Sequence, residues 1–187
     1  LSLSRPEDAL DDRTLVPRAQ AGDPAACRAL FDRHANAVAS LLRRTFGPDV
    51  DVEDGLQQTF LVAFEDLRQL RTPEAFHNWL LRVALRTCRR LWWKRTLRDW
   101  LVPSGAMDEA LWTPEELRPD LSPDDRATFV LLGQRLRRLP LALRQVVVVR
   151  HAFGHTLEET ADVCGCSTAT VSRRLAEAEK RLRGESQ

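Results

Sequence analysis

Residues 156–175 read TLEETADVCGCSTATVSRRL. Thr156, with Glu159 three residues on, is the pattern of a capping box, where each side chain reaches the other's backbone N–H at a helix start. Leu157, Thr160, Ala161 and Cys164 then recur on one helical face. Gly165 can take the left-handed conformation that ends a helix. Ser167 or Thr168 can cap a second helix. Val171, Leu175 and Ala178 give that helix an inner stripe, which leaves Thr168, Thr170, Ser172, Arg173 and Arg174 outside. Two short helices at a glycine corner, with small Ala161 where they approach, predict a helix-turn-helix. Short hydroxyls and forked guanidinium groups on its outer face suit phosphates and base edges in a major groove. The plainer alternative is a helical hairpin with a solvated arginine face.

Upstream, Pro140 begins the segment LALRQVVVVRHAF, with Leu143, Val146, Val147 and Arg150 spaced for a mostly buried helix. Ser122-Pro123 opens another helix to about Leu139. Before it the composition reverses. Asp99, Asp108, Glu109, Glu115, Glu116, Asp120, Asp124 and Asp125 face a single Arg118, and Pro103, Pro114, Pro119 and Pro123 interrupt any helix. This predicts an acidic linker between two units. Leu111, Trp112 and Leu117 could form a short docking segment within it.

The first half reads as helix throughout. One helix is expected after Thr14, with Pro17 in its first turn, ending at Gly22. Asp23-Pro24 restarts the helix as cap and first residue. Leu30, Phe31, His34, Val38, Leu41 and Leu42 follow at helical spacing to Gly47-Pro48, with His34 at the edge of the core. Asp51 caps a third helix with Glu53 and Asp54 in its first turn, where the dipole favours acid. Its inner face is Leu56, Phe60, Ala63, Phe64 and Leu67; Asp54, Gln57 and Gln58 lie outside.

Thr72-Pro73 opens the fourth and longest helix. Phe76, Trp79, Leu80, Val83, Ala84 and Leu91 make its buried stripe, and Arg82, Arg86, Arg89, Arg90, Lys94, Arg95 and Arg98 crowd the rest. Phe76, His77, Asn78, Trp92 and Trp93 are interleaved with them. Cations along one helix with aromatics nearby are the footprint of a nucleic-acid surface. Trp79 reads as core. Trp92 and Trp93 are adjacent, so at least one must be partly exposed.

The 187 residues are 43% apolar and 29% charged, which indicates a globular chain, and the net charge of +1 conceals the segregation just described. The N-terminal LSLSRPEDALDD turns acidic at once, unlike a signal peptide. The longest aliphatic run, Val146 to Val149, is too short to span a bilayer. Four irregularly placed cysteines do not form a disulfide framework. A cytoplasmic, reduced chain is expected, with no membrane insertion.

Taken together these segments resemble an extracytoplasmic-function (ECF) sigma factor of bacterial RNA polymerase, over roughly Leu15 to Leu182. AGDPAACRALFDRH is similar to the family's opening helices. VEDGLQQTFLVAF resembles its motif for gripping the polymerase clamp. FHNWLLRVALRTCRRLWWKR resembles the helix that melts and reads the −10 promoter element. LRRLPLALRQVVVVRHAFGHTLEETADVCGCSTATVSRRL resembles the unit that reads the −35 element. The resemblance implies an all-α fold of two small helical domains, 14–98 and 122–183, joined by an acidic, proline-containing linker, 99–121. It places polymerase contact on Asp54, Gln57 and Gln58. It places −10 contact on Phe76, His77, Asn78, Arg82, Arg86, Arg89 and Arg90, and −35 contact on Ser167, Thr168, Thr170, Ser172, Arg173 and Arg174. The implied partners are core RNA polymerase, promoter DNA (duplex at −35, melted strand at −10) and an anti-sigma factor. The implied mechanism is binding without catalysis, metal or cofactor, with the linker making the second promoter contact intramolecular.

The chain departs from the family pattern in places. Gln58 stands where Glu is usual, and Arg86 replaces the Asn of Ala-x-Asn. Ser172 and Arg173 stand where Lys and Ser are common, and an Asp near Arg90 is missing. Gly55 replaces a usual Leu; a helix-interior Gly costs about 1 kcal/mol against Ala, so a looser third helix is expected.

Two other readings are open. A one-component helix-turn-helix regulator would need a ligand pocket in its first half, and a sensor domain does not require the arginine-aromatic helix found there. His151, His155, Cys164 and Cys166 resemble a zinc set, but Cys-x-Cys is tight for zinc and Gly154 separates the two histidines.

Overall fold

The computed structural model describes residues 10–47, 50–101 and 123–184, without the side chains of 94–101 and 123–130. Every regular element among the described residues is helical. The first helix, α1 (Asp12–Gln20), begins earlier than its sequence suggests, because Asp11 caps it. The Asp11 carboxylate accepts the Thr14 amide at 3.0 Å and the Thr14 hydroxyl at 2.9 Å. Pro17 therefore lies in the helix interior, not in its first turn. The Asp23 carboxylate accepts the Ala25 amide and the Arg18 guanidinium at 2.9 and 2.8 Å, starting α2 (Pro24–Phe46). Gly47, at φ 61°, ends it.

Asp51 caps α3 (Val52–Asp66) through the Glu53 and Asp54 amides. The buried line of α3 runs through Gly55, Thr59, Phe60 and Ala63, while Leu56 and Phe64 are only half-buried. The expected inner face is thus rotated toward the glycine. A Cβ at Gly55 would meet Leu42 Cδ1 at 2.9 Å and Cys88 Sγ at 3.1 Å. The Thr59 hydroxyl donates to the Gly55 carbonyl at 2.7 Å, and the Cys88 thiol reaches the same oxygen at 3.8 Å. Gly55 does not loosen α3; it lets α3 lie close against α2 and the following helix.

That helix, α4 (Phe76–Leu101), follows a 3-10 turn at Pro73–Ala75. Its 26 residues extend about 39 Å at 1.5 Å each. It passes the expected boundary at 98 because no residue before Pro103 stops a helix. Residues 102–122, which hold most of the acidic stretch with Leu111, Trp112 and Leu117, lie outside the described residues.

The C-terminal half contains α5 (Pro123–Arg138), α6 (Leu141–Val147), a π turn at Val148–Ala152, α7 (Leu157–Cys164) and α8 (Thr168–Leu182). These helices do not stand apart from the first four. Val148, Val149 and Val163 belong to the same apolar cluster as Leu15, Leu41, Phe60 and Leu80. Buried Arg144 fastens the halves. It donates to the Leu136, Arg137 and Leu139 carbonyls where α5 ends, and across to the Thr45 carbonyl of α2 at 2.9 Å. A buried guanidinium needs such acceptors, since burying a charge without partners is costly.

Candidate nucleic-acid interface

The helix-turn-helix forms as its caps dictate. Thr156 and Glu159 make both bonds of the capping box, at 2.7 and 3.1 Å. Gly165 sits at φ 64°, ψ 43°, and the Cys166 amide donates back to the Ala161 carbonyl at 3.0 Å, closing α7. The Ser167 hydroxyl accepts the Thr170 amide at 3.2 Å and starts α8. Val146, Ala161 and Val171 make a small core beneath the corner. Ser167, Thr168, Ser172 and Arg173 are exposed on the outside. Thr170 and Arg174 are half-buried; the Arg174 guanidinium leans 3.8 Å from Cys166 Sγ, toward the corner.

The α4 set is less uniform. Phe76, expected at the −10 element, is 0% exposed and has no face to offer a base. Its ring packs edge-on to His34 at 5.1 Å and beside Trp79 at 6.0 Å, because it enters the core at the helix start. Arg86, Arg89 and Arg90 are exposed, with Arg86 3.3 Å from the Asp66 carboxylate. Trp93 is 61% exposed, and Trp92, half-buried, meets it edge-on at 5.2 Å.

His77, Asn78 and Arg82 are half-buried and face the C-terminal half. The Arg82 guanidinium donates to the Asp162 carbonyl at 2.7 Å and pairs with the Asp162 carboxylate. His155 Nε2 lies 2.9 Å from Asn78 Oδ1, and the His77 and His155 rings stack at 6.2 Å. A carboxylate of α7 thus occupies one guanidinium that the resemblance assigns to DNA. Neither Asp162 nor His155 stands out in the sequence as a partner of α4.

On α3, Asp54 and Gln57 are exposed and Gln58 is half-buried. Leu61, one turn on from Gln57, is 50% exposed beside them. Its spacing from Gln57 and Gln58 is the only sequence signal for it.

The suggested zinc set does not assemble. His151 is exposed, His155 turns to Asn78, and burial pushes the Cys164 thiol up to about 12, which disfavours a thiolate ligand. No three His, Cys, Asp or Glu groups converge as metal ligands among the described residues. No described helix is long and apolar enough to cross a membrane.

Two family models match separate stretches of the chain. The model of Sigma-70 region 2 matches residues 30–98, and that of Sigma-70, region 4 matches residues 129–182. RNA polymerase sigma factor NccH of Alcaligenes xylosoxydans xylosoxydans is 31% identical, over 91% of this chain and 92% of its own. The ECF RNA polymerase sigma-E factor of Escherichia coli (strain K12) is 30% identical, over 92% of this chain and 93% of its own. Among solved structures, CnrH in complex with the cytosolic domain of CnrY aligns at TM-score 0.65 and 26% identity, over 93% of this chain and 96% of its own. The sigma factor RpoE of Bartonella quintana, with the anti-sigma factor NepR, aligns at TM-score 0.68 and 18% identity, over 84% of this chain and 94% of its own.

Proposed function

Since this chain belongs to the ECF RNA polymerase sigma factors and so directs transcription initiation, we propose that it does so through three surfaces. The first is the outer face of α8 with its cap: Ser167, Thr168, Thr170, Ser172, Arg173 and Arg174, laid in the major groove at −35. The exposed row of hydroxyls and guanidinium groups on a capped helix carries this assignment. The second is the α4 face of His77, Asn78, Arg82, Arg86, Arg89 and Arg90, which holds the melted −10 strand. Phe76 supports it only from the core. The third is the outer face of α3, where Asp54, Gln57 and Gln58 meet core polymerase, with Leu61 as an apolar contact among them.

The chain acts by binding, not catalysis, and works inside the cell beside the polymerase. The proposed domains are 14–98 and 122–183, with 99–121 between them. Promoter engagement then requires the C-terminal helices to leave α4, because Asp162 holds Arg82 in this arrangement. A protein of anti-sigma type is the proposed restraining partner; the similar CnrH has a protein partner in its solved complex.

The test is transcription in vitro with core polymerase on a randomised promoter pool. Enrichment of two spaced elements supports the reading, and transcription indifferent to promoter sequence overturns it. Asp54→Ala or Gln57→Ala should lower polymerase association in a pull-down while leaving the helices intact. Normal association would remove these residues from the third surface.

A further inference from the structure

Three histidines from three parts of the chain meet where the halves join. His34 of α2 is 7% exposed, and its Nε2 is 2.8 Å from the Asp12 carboxylate of α1. Its Nδ1 lies 3.3 Å from His77 Nδ1 at the start of α4. His77 in turn stacks on His155, which precedes α7. His155 is 7% exposed, with Nε2 on Asn78 and an Nδ1 that is buried without a hydrogen-bond partner among the described residues. The Arg150 guanidinium donates to the His155 carbonyl at 2.5 Å.

We propose that this histidine row is a proton-operated latch, which holds the helix-turn-helix against α4 while His77 is neutral and loosens it when His77 takes a proton.

The geometry gives the reason. With one His34 N–H spent on Asp12 and the other on the 3.3 Å contact, His77 Nδ1 is the acceptor, and a proton placed on it sets two N–H groups head to head. On its other face His77 stacks on the His155 ring, whose Nε2–H is spent on Asn78 and whose Nδ1 has no hydrogen-bond partner among the described residues, so nothing on that side pairs with an added charge on His77. Burial, with the charges of His34 and His155, lowers the His77 pKa, and Asp12 opposes this without reversing it. The charged groups around the row are few. Asp12 is shared with Arg33 and His34; Glu159, at the start of α7, faces His155; Arg82 and Asp162 pair one turn further along α4. The Asp12 carboxylate is pushed up by its own burial but held below its usual range by hydrogen bonds from His34 and Arg33, so it stays charged in mild acid.

The released form binds a proton on His77 more readily than the closed form does. The closed contact is therefore strongest above the ordinary histidine value of about 6.5. It weakens as pH falls from there toward the lowered value of the closed form. Release uncovers Asn78, Arg82 and the corner of α7. The consequence for promoter binding rests on the function proposed above; the latch itself does not.

The test uses the full chain without polymerase or DNA, so its failure is separate from failure of the sigma assignment. Amide exchange is compared between wild type, His77→Phe and His77→Gln at matched pH, about 7.5 and about 5.5, either side of the ordinary value. Comparison at one pH cancels the intrinsic rate. Acid should lower protection of residues 76–82 and 157–164 several-fold more in wild type than in either variant, with residues 176–182 unaffected. Equal loss in all three proteins overturns the latch. The titration of the His77 ring proton in wild type needs no variant. A midpoint below the ordinary histidine value is expected, and one at or above it overturns the proposal.

Discussion

The outer face of α8 and the outer face of α4 carry the same chemistry under different cover. Both present arginines beside small polar groups. On α8 that face is open, with Arg173 exposed and Arg174 turned only toward its own corner. On α4 the far part is open at Arg86, Arg89 and Arg90, while the near part, His77 to Arg82, lies under α7. Helix periodicity identifies which residues face outward from a helix. It does not say whether a distant segment of the chain lies on top of them.

The largest effect is expected on the open side. Arg173→Ala with Arg174→Ala should lower −35-dependent transcription at least tenfold, since a guanidinium–base contact is worth about 1–3 kcal/mol. Polymerase pull-down should be unchanged. Arg173 should account for most of the loss, because Arg174 is partly engaged with Cys166. Equal transcription by the variant would mean that an exposed arginine face is not a reading face.

On the covered side the question is what holds the cover. Arg144→Met removes the donor to four carbonyls, one of them Thr45 across the join. It should lower the free energy of unfolding by about 2–3 kcal/mol in urea titration, because hydrogen bonds from a charged group are worth more than neutral ones. Gly55→Ala should cost about 1 kcal/mol by crowding Leu42 and Cys88, and Cys88→Ala should restore part of it. This variant tests the seating of α4 without touching its outer face. The smallest effect is expected for Asp162→Asn. The pair with Arg82 is half-exposed, so stability should change by under about 1 kcal/mol. Exchange of residues 76–82 should nonetheless rise.

Much of the local architecture was legible. Asp23, Asp51, Thr156 and Ser167 cap helices where their side-chain chemistry says they should, because a cap is settled within three residues. The Gly165 corner and the Val171 anchor are equally local. The first cap went to Asp11 and not to Thr14 because both residues are competent, and Thr14 spends its amide and hydroxyl on Asp11. Gly55 reads as a weakness in one helix and becomes a contact only when α2 and α4 are in place. Phe76 illustrates the same limit, since an aromatic at a helix start has the same spacing whether it stacks on a base or fills a core. The Arg82–Asp162 pair joins residues 80 positions apart, and nothing in either neighbourhood announces it.

The Gly55–Cys88 contact also makes the chain its own chronometer. All four cysteines are free thiols, and Cys88 is 0% exposed against the α3 backbone, with burial raising its thiol to about 12. Cys27, Cys164 and Cys166 are each partly accessible. A thiol reagent should therefore modify Cys166 and Cys27 first, Cys164 more slowly because burial raises its thiol to about 12 as well, and Cys88 only when α3 lifts from α4. The lag before the label on Cys88 then counts how often the N-terminal bundle breathes, with no probe added.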